Sequence, residues 1–365
     1  MRPAANDLTV IGVCKPRGVD ASLKSEEIPG MAKTRTPSPI PLTNDIYATW
    51  KSLTIAAGLE LDVFTLIAGG KRTAAEVAAA ARADSSAMRR LLDVLVALKY
   101  LRRKGELYSL EPISATFLAR GGDLYFEGGA QFVKGGTIAF SQLADVVRSG
   151  RPLAPPDADA AVQFFTMLVR VIFPMSYVPA KAAVAAIGAA RVRKLSAILD
   201  VAAGSGAWSL PFAQANPKAR VTVVDYPAVT AVTRQYAARY GVGDRYDYLE
   251  GNLREVDFGR DKYDLAIFGH IIHGEGAEWG RKLIGKTAAA LKHKGQLLIA
   301  DFIPNDERTG PMIPMLFGLN MLIRATPGAD VFTMREYRTW LKEAGFRSVR
   351  TIPAPSPSPL ILATK

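Results

Sequence analysis

Residues 197–209 have the sequence Ala197-Ile-Leu-Asp-Val-Ala-Ala-Gly-Ser-Gly-Ala-Trp-Ser209. The apolar run up to Val201, interrupted by one acid, is short enough to be a buried parallel strand. Five small residues follow it, and such residues allow a tight turn and a close approach of the backbone to a ligand. The segment from Trp208 onward predicts the first turns of a helix. A strand, a small-residue turn and a helix form a nucleotide site at the carboxyl edge of a sheet.

The spacing of the acid and the glycines indicates which nucleotide this turn holds. A pyrophosphate-binding turn has a third glycine three residues after the second, and here that position is Ser209. Asp200, four residues before Gly204, instead completes the pattern Asp-x-x-x-Gly-x-Gly. This pattern resembles motif I of the class I S-adenosylmethionine (SAM) methyltransferases, in which the backbone and the acid hold a cationic amino-acid group. A dehydrogenase and a purely structural glycine turn are the alternatives.

Strands and helices alternate from Ala197 to the C-terminus. The second strand ends at Asp225, nineteen residues after Gly206, where both SAM and dinucleotide enzymes place an acid on the ribose hydroxyls. The alternation predicts a doubly wound, Rossmann-like α/β sheet with the early strand ends on one edge. The predicted strands are 198–201, 221–225, 246–250, 265–269, 296–301 and 360–363, and the predicted helices are 227–240, 279–291 and 334–344.

The composition is ordinary for a soluble globular protein. The chain has 365 residues, of which 49% are hydrophobic and 22% charged, with a net charge of +12 and a single cysteine, Cys14. One cysteine excludes a disulfide framework and favours the reducing cytoplasm. No apolar run approaches the roughly 20 residues of a membrane span. Because the basic residues are scattered, we expect neither a membrane nor a nucleic acid as partner.

The first 120 residues predict an extension followed by a small helical domain. Residues 1–42 are rich in Pro, Ser and Thr and are expected to be disordered or an extension. Asn44 is expected to cap a helix that runs through Ile67, and Thr73-Ala-Ala-Glu76 is a capping box for the next helix. A third helix then precedes a hairpin that turns at Lys104-Gly105. Helices followed by such a hairpin are the pattern of a winged helix.

A winged helix before a SAM-type domain resembles the O-methyltransferases typified by plant caffeate-type and bacterial polyketide-tailoring enzymes. The resemblance runs from Asn44 to the end and implies a homodimer formed through the N-terminal domain. The alternative is a DNA-binding regulator with a ligand-sensing SAM domain, since the third helix carries Arg89 and Arg90. The expected domains are an extension (1–42), a winged-helix dimerisation domain (43–120), a helical region that lines the substrate (121–190) and a SAM-binding domain (191–365).

Two apolar segments are expected to line the pocket for the methyl acceptor. Thioethers and aromatic rings pack adaptably around planar ligands, although core or dimer interface is the alternative. We therefore expect a small hydrophobic acceptor, aromatic or polyketide-like. The candidates are Phe165, Met167, Phe173, Met175, Met312, Met315, Phe317, Asn320, Met321 and Arg324.

Methylation of a hydroxyl requires a base near the acceptor. Of the three histidines, His293 lies in a charged turn and is expected on the surface, whereas His273 follows the fourth predicted strand. The resemblance places the family's general-base histidine on His273, although Gly274-Glu275 replaces the usual Asp-Trp. It also implies two supporting acids, the first nearest Asp301 and the second at Asp330.

The cofactor contacts are expected at the same edge of the sheet. The tripeptide Gly251-Asn252-Leu253 is similar to the family's adenine-binding Gly-Asp-Met/Phe segment. The histidines and Cys14 show no zinc-site spacing, so no metal is expected. The implied reaction is SAM-dependent O-methylation with S-adenosylhomocysteine as product, and C- or N-methylation on the same scaffold is the alternative. The expected cofactor contacts are Asp200, Ala202, Gly204, Ser205, Gly206, Asp225, Tyr226, Asn252, Leu253, Phe268, Gly269 and His270.

Overall fold

A computed structural model describes residues 37–153, 158–324 and 328–365. Most of the predicted extension therefore lies outside the described residues, but its end does not. Helix α1 (Ile40–Ile46) begins within it, so residues 40–42 are helical rather than disordered, whereas their assignment to an extension stays a prediction. Pro41 is compatible with this helix because the first turn has no need for its missing N–H.

The domain that follows begins with short helices rather than with one long helix. Asn44 lies inside α1 and caps nothing, and the predicted helix is broken at Asp62, whose φ of 52° is left-handed. Asp tolerates that conformation better than most residues. The capping box of Thr73 and Glu76 is confirmed. The elements are α2 (Ala48–Glu60), α3 (Val63–Ala68), α4 (Ala74–Ala81), α5 (Ser85–Ala97), β1 (Leu101–Lys104), β2 (Leu107–Leu110) and α6 (Pro112–Phe117).

This N-terminal part has its own apolar core. Leu92 and Leu95 of α5 are fully buried and belong to one hydrophobic cluster with Phe64 of α3. The strands β1 and β2 pair antiparallel from Leu101 opposite Leu110 to Lys104 opposite Leu107, so the hairpin turns one residue later than predicted. The predicted order of helices followed by a hairpin is confirmed, with the first predicted helix divided into α2 and α3.

The middle of the chain is helical. Within it Phe173 is buried and packs on Tyr177, Tyr236 and Tyr240, with ring centroids 4.2 to 5.7 Å apart. This aromatic group belongs to the main core, so the prediction that Phe173 lines a substrate pocket is wrong. The elements are α7 (Gly129–Phe140), α8 (Leu143–Ser149), α9 (Ala158–Val171), α10 (Phe173–Ile187) and α11 (Ala189–Val192).

A seven-stranded sheet forms the C-terminal half, and the predicted doubly wound α/β class is confirmed. Its strands run in the order β5-β4-β3-β6-β7-β9-β8, parallel from β5 to β7, with β9 antiparallel to both of its neighbours. The strands are β3 (Ala197–Val201), β4 (Arg220–Asp225), β5 (Tyr246–Glu250), β6 (Tyr263–Gly269), β7 (Leu291–Ala300), β8 (Ser348–Ile352) and β9 (Leu360–Thr364). The sequence does not predict β8, whose residues are mostly polar and which lies at the sheet edge.

Helices cover both faces of the sheet. Consecutive strand residues enter different hydrophobic clusters, as with Leu297 and Leu298 of β7, because side chains alternate across a strand. The helices are α12 (Leu210–Ala215), α13 (Pro227–Arg239), α14 (Ile272–Ala290), α15 (Met312–Arg324) and α16 (Met334–Glu343).

Among the described residues no single helix meets the length and hydropathy of a membrane span. One pair of helical segments, Gln163–Val171 and Phe173–Ile187, meets both only when taken together, and the two are bent by 54°.

Candidate active site

Sheet register brings the predicted cofactor residues to one edge. Val201 of β3 lies opposite Val224 of β4 and Phe268 of β6, so the loops that leave these three strands begin side by side. The loop after β5 adjoins them because β5 pairs with β4. The structure therefore gathers the segments that begin at Ala202, Asp225, Gly251 and His270.

The glycine-rich turn requires its small residues. Gly204 has a φ of +59°, and a Cβ there would lie 3.0 Å from Cγ1 of Val169 in α9. Gly206 has a φ of +75°, and its Cβ would meet Thr233 at 2.9 Å. Ala202 is also left-handed, with a φ of 54°. Both glycines are therefore required by the close packing of neighbouring side chains, and a turn of small residues lets its backbone approach a nucleoside closely.

Two carboxyl groups flank this turn. Burial raises the pKa of Asp200 to about 7, and its Oδ2 has no hydrogen-bond partner among the described residues. Burial also raises the pKa of Asp225 to about 6, although the N–H groups of Gly204 and Tyr226 donate to its oxygens at 2.9 and 2.8 Å. A cationic ligand would stabilise both carboxylates, because an opposite charge offsets the cost of desolvation.

The remaining predicted cofactor residues differ in what they offer. Ser205 is buried beside the glycines, and Tyr226 is exposed. Asn252 accepts a hydrogen bond from the backbone of Arg254 at 3.0 Å, and the side chain of Leu253 packs against the apolar core. The prediction that the side chain of Phe268 contacts the cofactor is corrected. Its ring is fully buried in the apolar core, and only its backbone reaches the edge of the sheet.

Trp208 is a site residue that the sequence did not reveal. Its indole occupies the space that a side chain at Gly269 would fill, since a Cβ there would lie 2.2 Å from Cδ1. The indole Nε1 is buried and lacks a hydrogen-bond partner within the described part of the chain. The ring of His270 lies 5.8 Å away by centroids. The signal available in the sequence was a large aromatic residue, Trp208, in the glycine-rich turn together with a glycine, Gly269, at the end of another predicted strand.

His270 is partly buried and has an unusual backbone conformation. Its φ is +65°, its N–H donates to Ala300 at 2.8 Å, and its Nδ1 is unpartnered among the residues described. Burial lowers the pKa of His270 to about 4, although the charge of Asp301 acts in the opposite direction. The imidazole is therefore neutral at physiological pH.

The predicted base and its first supporting acid are in contact. Nδ1 of His273 lies 2.5 Å from Oδ1 of Asp301, and the His273 backbone N–H donates to Oδ2 at 3.2 Å. The hydroxyl of Tyr337 donates to Oδ2 at 2.7 Å. Burial would raise the pKa of Asp301, but the imidazole of His273 and these hydrogen bonds hold it below its ordinary value. The same environment raises the pKa of Tyr337 well above the ordinary value.

Chain topology explains this contact. Asp301 directly follows β7, and His273 is the second residue of α14, which starts after the neighbouring strand β6. The helix changes direction at Gly276, where φ is +76° and a Cβ would lie 2.7 Å from the carbonyl of Gly328. A strand end and a helix start thus fix the two groups in one geometry.

Asp330 does not orient the ring of His273. Its carboxylate accepts a hydrogen bond from the N–H of Val331 at 2.7 Å and lies 3.4 Å from the guanidinium of Arg308. Only its backbone N–H reaches His273, donating to the carbonyl at 3.1 Å. The prediction that Asp330 supports the base is therefore corrected, because the short loop before α16 turns that side chain toward Arg308.

Aromatic side chains cover the histidine. Phe317 of α15 stacks on Phe302 with centroids 3.7 Å apart, and it meets the His273 ring edge-on at 4.8 Å. Phe317 is therefore the predicted acceptor residue that the structure brings to His273. A planar ligand matches such a wall, since offset stacking is favourable for flat rings.

The other predicted acceptor residues are dispersed. Met312, Phe165 and Met175 are exposed, Met321 is buried, and Met315 and Asn320 are half-buried. Arg324 donates to the carbonyl of Gly135 at 2.9 Å. Met167 lines a cavity of about 660 Å³ together with Glu127, Gly128, Gln163, Thr166, Arg170 and Ala228.

Two family models match the chain. One, described as an O-methyltransferase domain, covers residues 171–347, and the other, described as an O-methyltransferase dimerisation domain, covers residues 45–120. Together they span the sheet domain and the N-terminal helices and hairpin.

Similar proteins include two from Streptomyces. The 3-hydroxy-5-methyl-1-naphthoate 3-O-methyltransferase of Streptomyces sahachiroi is 29% identical over 87% of this chain and 92% of its own length. The tetracenomycin polyketide synthesis 8-O-methyl transferase of Streptomyces glaucescens is 27% identical over 87% and 94%. The structure of human N-acetylserotonin methyltransferase in complex with SAM matches with a TM-score of 0.75 and 23% identity, covering 92% of this chain and 99% of that one, which shows a shared fold.

Proposed function

The chain belongs to the SAM-dependent O-methyltransferases that carry an N-terminal dimerisation domain, and we propose that it methylates a hydroxyl of a small aromatic or polyketide-like molecule with His273 as general base. The observation that carries the proposal is the hydrogen bond between Nδ1 of His273 and the buried carboxylate of Asp301. Both relatives from Streptomyces are O-methyltransferases, one named for a hydroxynaphthoate and one for a polyketide.

The edge of the sheet fits the cofactor. Burial raises the pKa values of Asp200 and Asp225, whose carboxylates a cation would stabilise, and the small residues of the Gly204 turn let the backbone approach a ligand. In our proposal the carboxylate of Asp225 accepts hydrogen bonds from the ribose hydroxyls of SAM. Asp200 and the glycine-rich turn hold the amino-acid end of SAM. SAM supplies an electrophilic methyl group, so the main task of the protein is to hold the two reactants in line.

The acid sets the tautomer of the base. Because the lowered pKa of Asp301 keeps it ionised, it accepts a hydrogen bond, and Nδ1 of His273 must carry the proton. The lone pair of the ring is then on Nε2, which is the nitrogen left for the acceptor. As the acceptor oxygen gains the methyl group, its proton passes to Nε2. Tyr337 restrains Asp301 and thereby the ring.

Phe302 and Phe317 are proposed as one wall of the acceptor pocket. Their stacked pair adjoins the base, so a planar acceptor lying against Phe317 would present an edge hydroxyl to Nε2 of His273. The neighbouring residues of α15 that were predicted from the sequence, Met315 and Asn320, remain proposals for the same pocket.

We also propose that the chain acts as a cytoplasmic homodimer that binds no nucleic acid. The segment that matches the dimerisation model begins with an exposed aromatic pair, Tyr47 and Trp50, with ring centroids 4.6 Å apart. Exposed rings of this kind are typical of association surfaces. Light scattering is expected to give twice the mass of the chain, and a gel-shift assay with duplex DNA is expected to show no binding.

The test of the base is the substitution His273→Ala. Wild-type enzyme is first supplied with SAM and a panel of hydroxylated aromatic compounds, and the methylated atom is identified by mass spectrometry with fragmentation. We expect His273→Ala to lower turnover about 10²–10⁴-fold while calorimetry shows unchanged SAM affinity. The matched control is His293→Ala, because His293 is exposed. Unchanged turnover in His273→Ala, or a product methylated on carbon or nitrogen, would overturn the proposal.

A further inference from the structure

We propose that His270, His273 and Asp301 form a site for a borderline divalent cation such as Zn²⁺, and that the cation inhibits the enzyme when it binds there. The inference goes beyond methyl transfer, which needs no metal at this position. One nitrogen of each histidine and one carboxylate oxygen lie within 4.8 Å of one another.

The distances suit a metal after small side-chain movements. Oδ1 of Asp301 is 2.5 Å from Nδ1 of His273 and 4.0 Å from Nδ1 of His270. A tetrahedral zinc ion, with bonds of about 2.0–2.1 Å, holds its ligand atoms about 3.4 Å apart. The observed separations lie on both sides of that value, so rotations of the two rings suffice.

His270 provides a ligand atom that is otherwise unused. Its Nδ1 is buried and has no hydrogen-bond partner among the described residues, and it faces the oxygen that His273 already contacts. A buried nitrogen of this kind forfeits a hydrogen bond in the folded protein, so a ligand that satisfies it gains affinity.

The donor set selects the class of metal. Two imidazoles and one carboxylate suit Zn²⁺ and its borderline neighbours, whereas Mg²⁺ and Ca²⁺ prefer oxygen ligands alone. Three protein ligands leave a fourth position open to water. The carboxylate is already held from outside by Tyr337 at 2.7 Å and by the N–H of Phe302 at 2.9 Å, and such outer contacts orient metal ligands.

Metal binding and general-base catalysis exclude each other at His273. The base requires the proton on Nδ1 and the lone pair on Nε2. A cation bound to Nδ1 occupies the lone pair of that nitrogen, so the single proton of the neutral ring moves to Nε2, which can then accept no proton from the acceptor. Inhibition therefore rests on the proposed role of His273, whereas metal affinity itself does not.

The first experiment measures binding directly. Full-length protein without an affinity tag is titrated with Co²⁺, whose visible absorption reports coordination, and with Zn²⁺ in competition with a chromophoric chelator. The variants His270→Asn and Asp301→Asn are expected to weaken binding at least about 100-fold. Asn is chosen at position 270 because it tolerates a positive φ. Circular dichroism and thermal unfolding establish that each variant is folded.

Two controls separate this site from the chain's other soft ligands. His293→Ala and Cys14→Ser are expected to leave the cobalt spectrum and the zinc affinity unchanged. If either control abolishes binding, or if wild-type protein binds one equivalent no more tightly than His270→Asn, the proposed site is wrong.

The second experiment measures the consequence. One equivalent of Zn²⁺ is expected to reduce the rate of methyl transfer by the wild-type enzyme at least about tenfold, and a chelator is expected to restore it. The variant His270→Asn is expected to need at least about 100-fold more Zn²⁺ for the same fractional inhibition of its own rate. Tight binding without inhibition would retain the metal site and overturn its inhibitory role. It would also argue against His273 as base, which the alanine substitution tests separately.

Discussion

Gly269 and Trp208 depend on each other: a Cβ on Gly269 would lie 2.2 Å from Cδ1 of the Trp208 indole and 2.7 Å from its Nε1. The glycine ends strand β6, and the tryptophan belongs to the glycine-rich turn after β3. The two segments that we assign to the cofactor are thus packed against each other by one aromatic side chain.

Gly269→Ala is therefore expected to reduce the free energy of unfolding by about 1–3 kcal/mol, because overpacking forces the indole or the strand to move. Urea denaturation measures the change. Gly285→Ala is the matched control: Gly285 lies exposed within α14 with nothing near its Cβ, so the substitution should instead stabilise the protein by about 0.5–1 kcal/mol. In a Trp208→Ala background the cost of Gly269→Ala should largely disappear, and persistence of the full cost would contradict the packing explanation.

Asp301→Asn tests how the acid orients His273, our proposed base. The amide can donate to Nδ1 of His273, which favours the tautomer with the proton on Nε2, so we expect turnover to fall about 10²–10⁴-fold with SAM affinity unchanged. Tyr337→Phe keeps the carboxylate and removes one hydrogen bond to it, and a loss of about tenfold is expected. Steady-state kinetics with calorimetry measures both. Equal losses in the two variants would indicate a structural rather than a tautomeric effect.

The buried acid Asp200 makes stability depend on pH. Burial raises its pKa from 3.8 to about 7, so the folded protein keeps a proton that the unfolded chain has lost between these values. The contribution of Asp200 to the free energy of unfolding is therefore undiminished below pH about 4 and falls as pH rises to about 7, by about 1.4 kcal/mol per unit of pKa difference. Relative to Asp200→Asn, wild-type protein without SAM should lose stability over this range in urea denaturation. The exposed control Asp244→Asn should run parallel to wild type.

Asp225→Ala is expected to weaken SAM binding about 10–100-fold, because each hydrogen bond to an ionised group contributes about 1.5–3 kcal/mol. Calorimetry measures the affinity. Glu250→Gln is the matched control, since Glu250 ends the adjacent strand but is already bonded to Thr230 and Arg234. An equal loss of affinity in the control would mean that general charge at this edge, rather than ribose recognition, accounts for the effect.

Much of the architecture could be predicted because it depends on local pattern. The spacing of apolar segments predicts the parallel strands within a few residues, and the short-range pattern Thr73 to Glu76 predicts a capping box that the structure confirms. The predictions of individual elements are wrong where the same local sequence pattern is compatible with two different local structures. Asn44 suits a helix cap but lies within α1, and β8 escaped prediction because its edge position leaves it little apolar periodicity.

Site residues were harder because their roles depend on contacts between distant segments. Phe173 is an aromatic residue of the kind expected in a pocket wall, but it lies in the hydrophobic core. The sequence pattern does not distinguish these two environments. Trp208 lies within the quoted stretch 197–209 and Tyr337 within the pattern Thr333-Met-Arg-Glu-Tyr. The sequence does not show, however, that Trp208 contacts the strand end at Gly269 or that Tyr337 contacts the carboxylate of Asp301.

The amino-acid order alone specified the alternation of strands and helices, the glycine turn with its two acids, and a histidine after the fourth strand, because these features depend on short-range spacing. Three-dimensional packing specified the rest: that Asp301 rather than Asp330 holds His273, that Phe317 covers it, and that His270 joins them. The pairings of His273 with Asp301, of His273 with Phe317 and of His270 with Asp301 link side chains 28 to 44 residues apart in the chain, and only the register of β6 with β7 and the placement of α14 and α15 bring such side chains together.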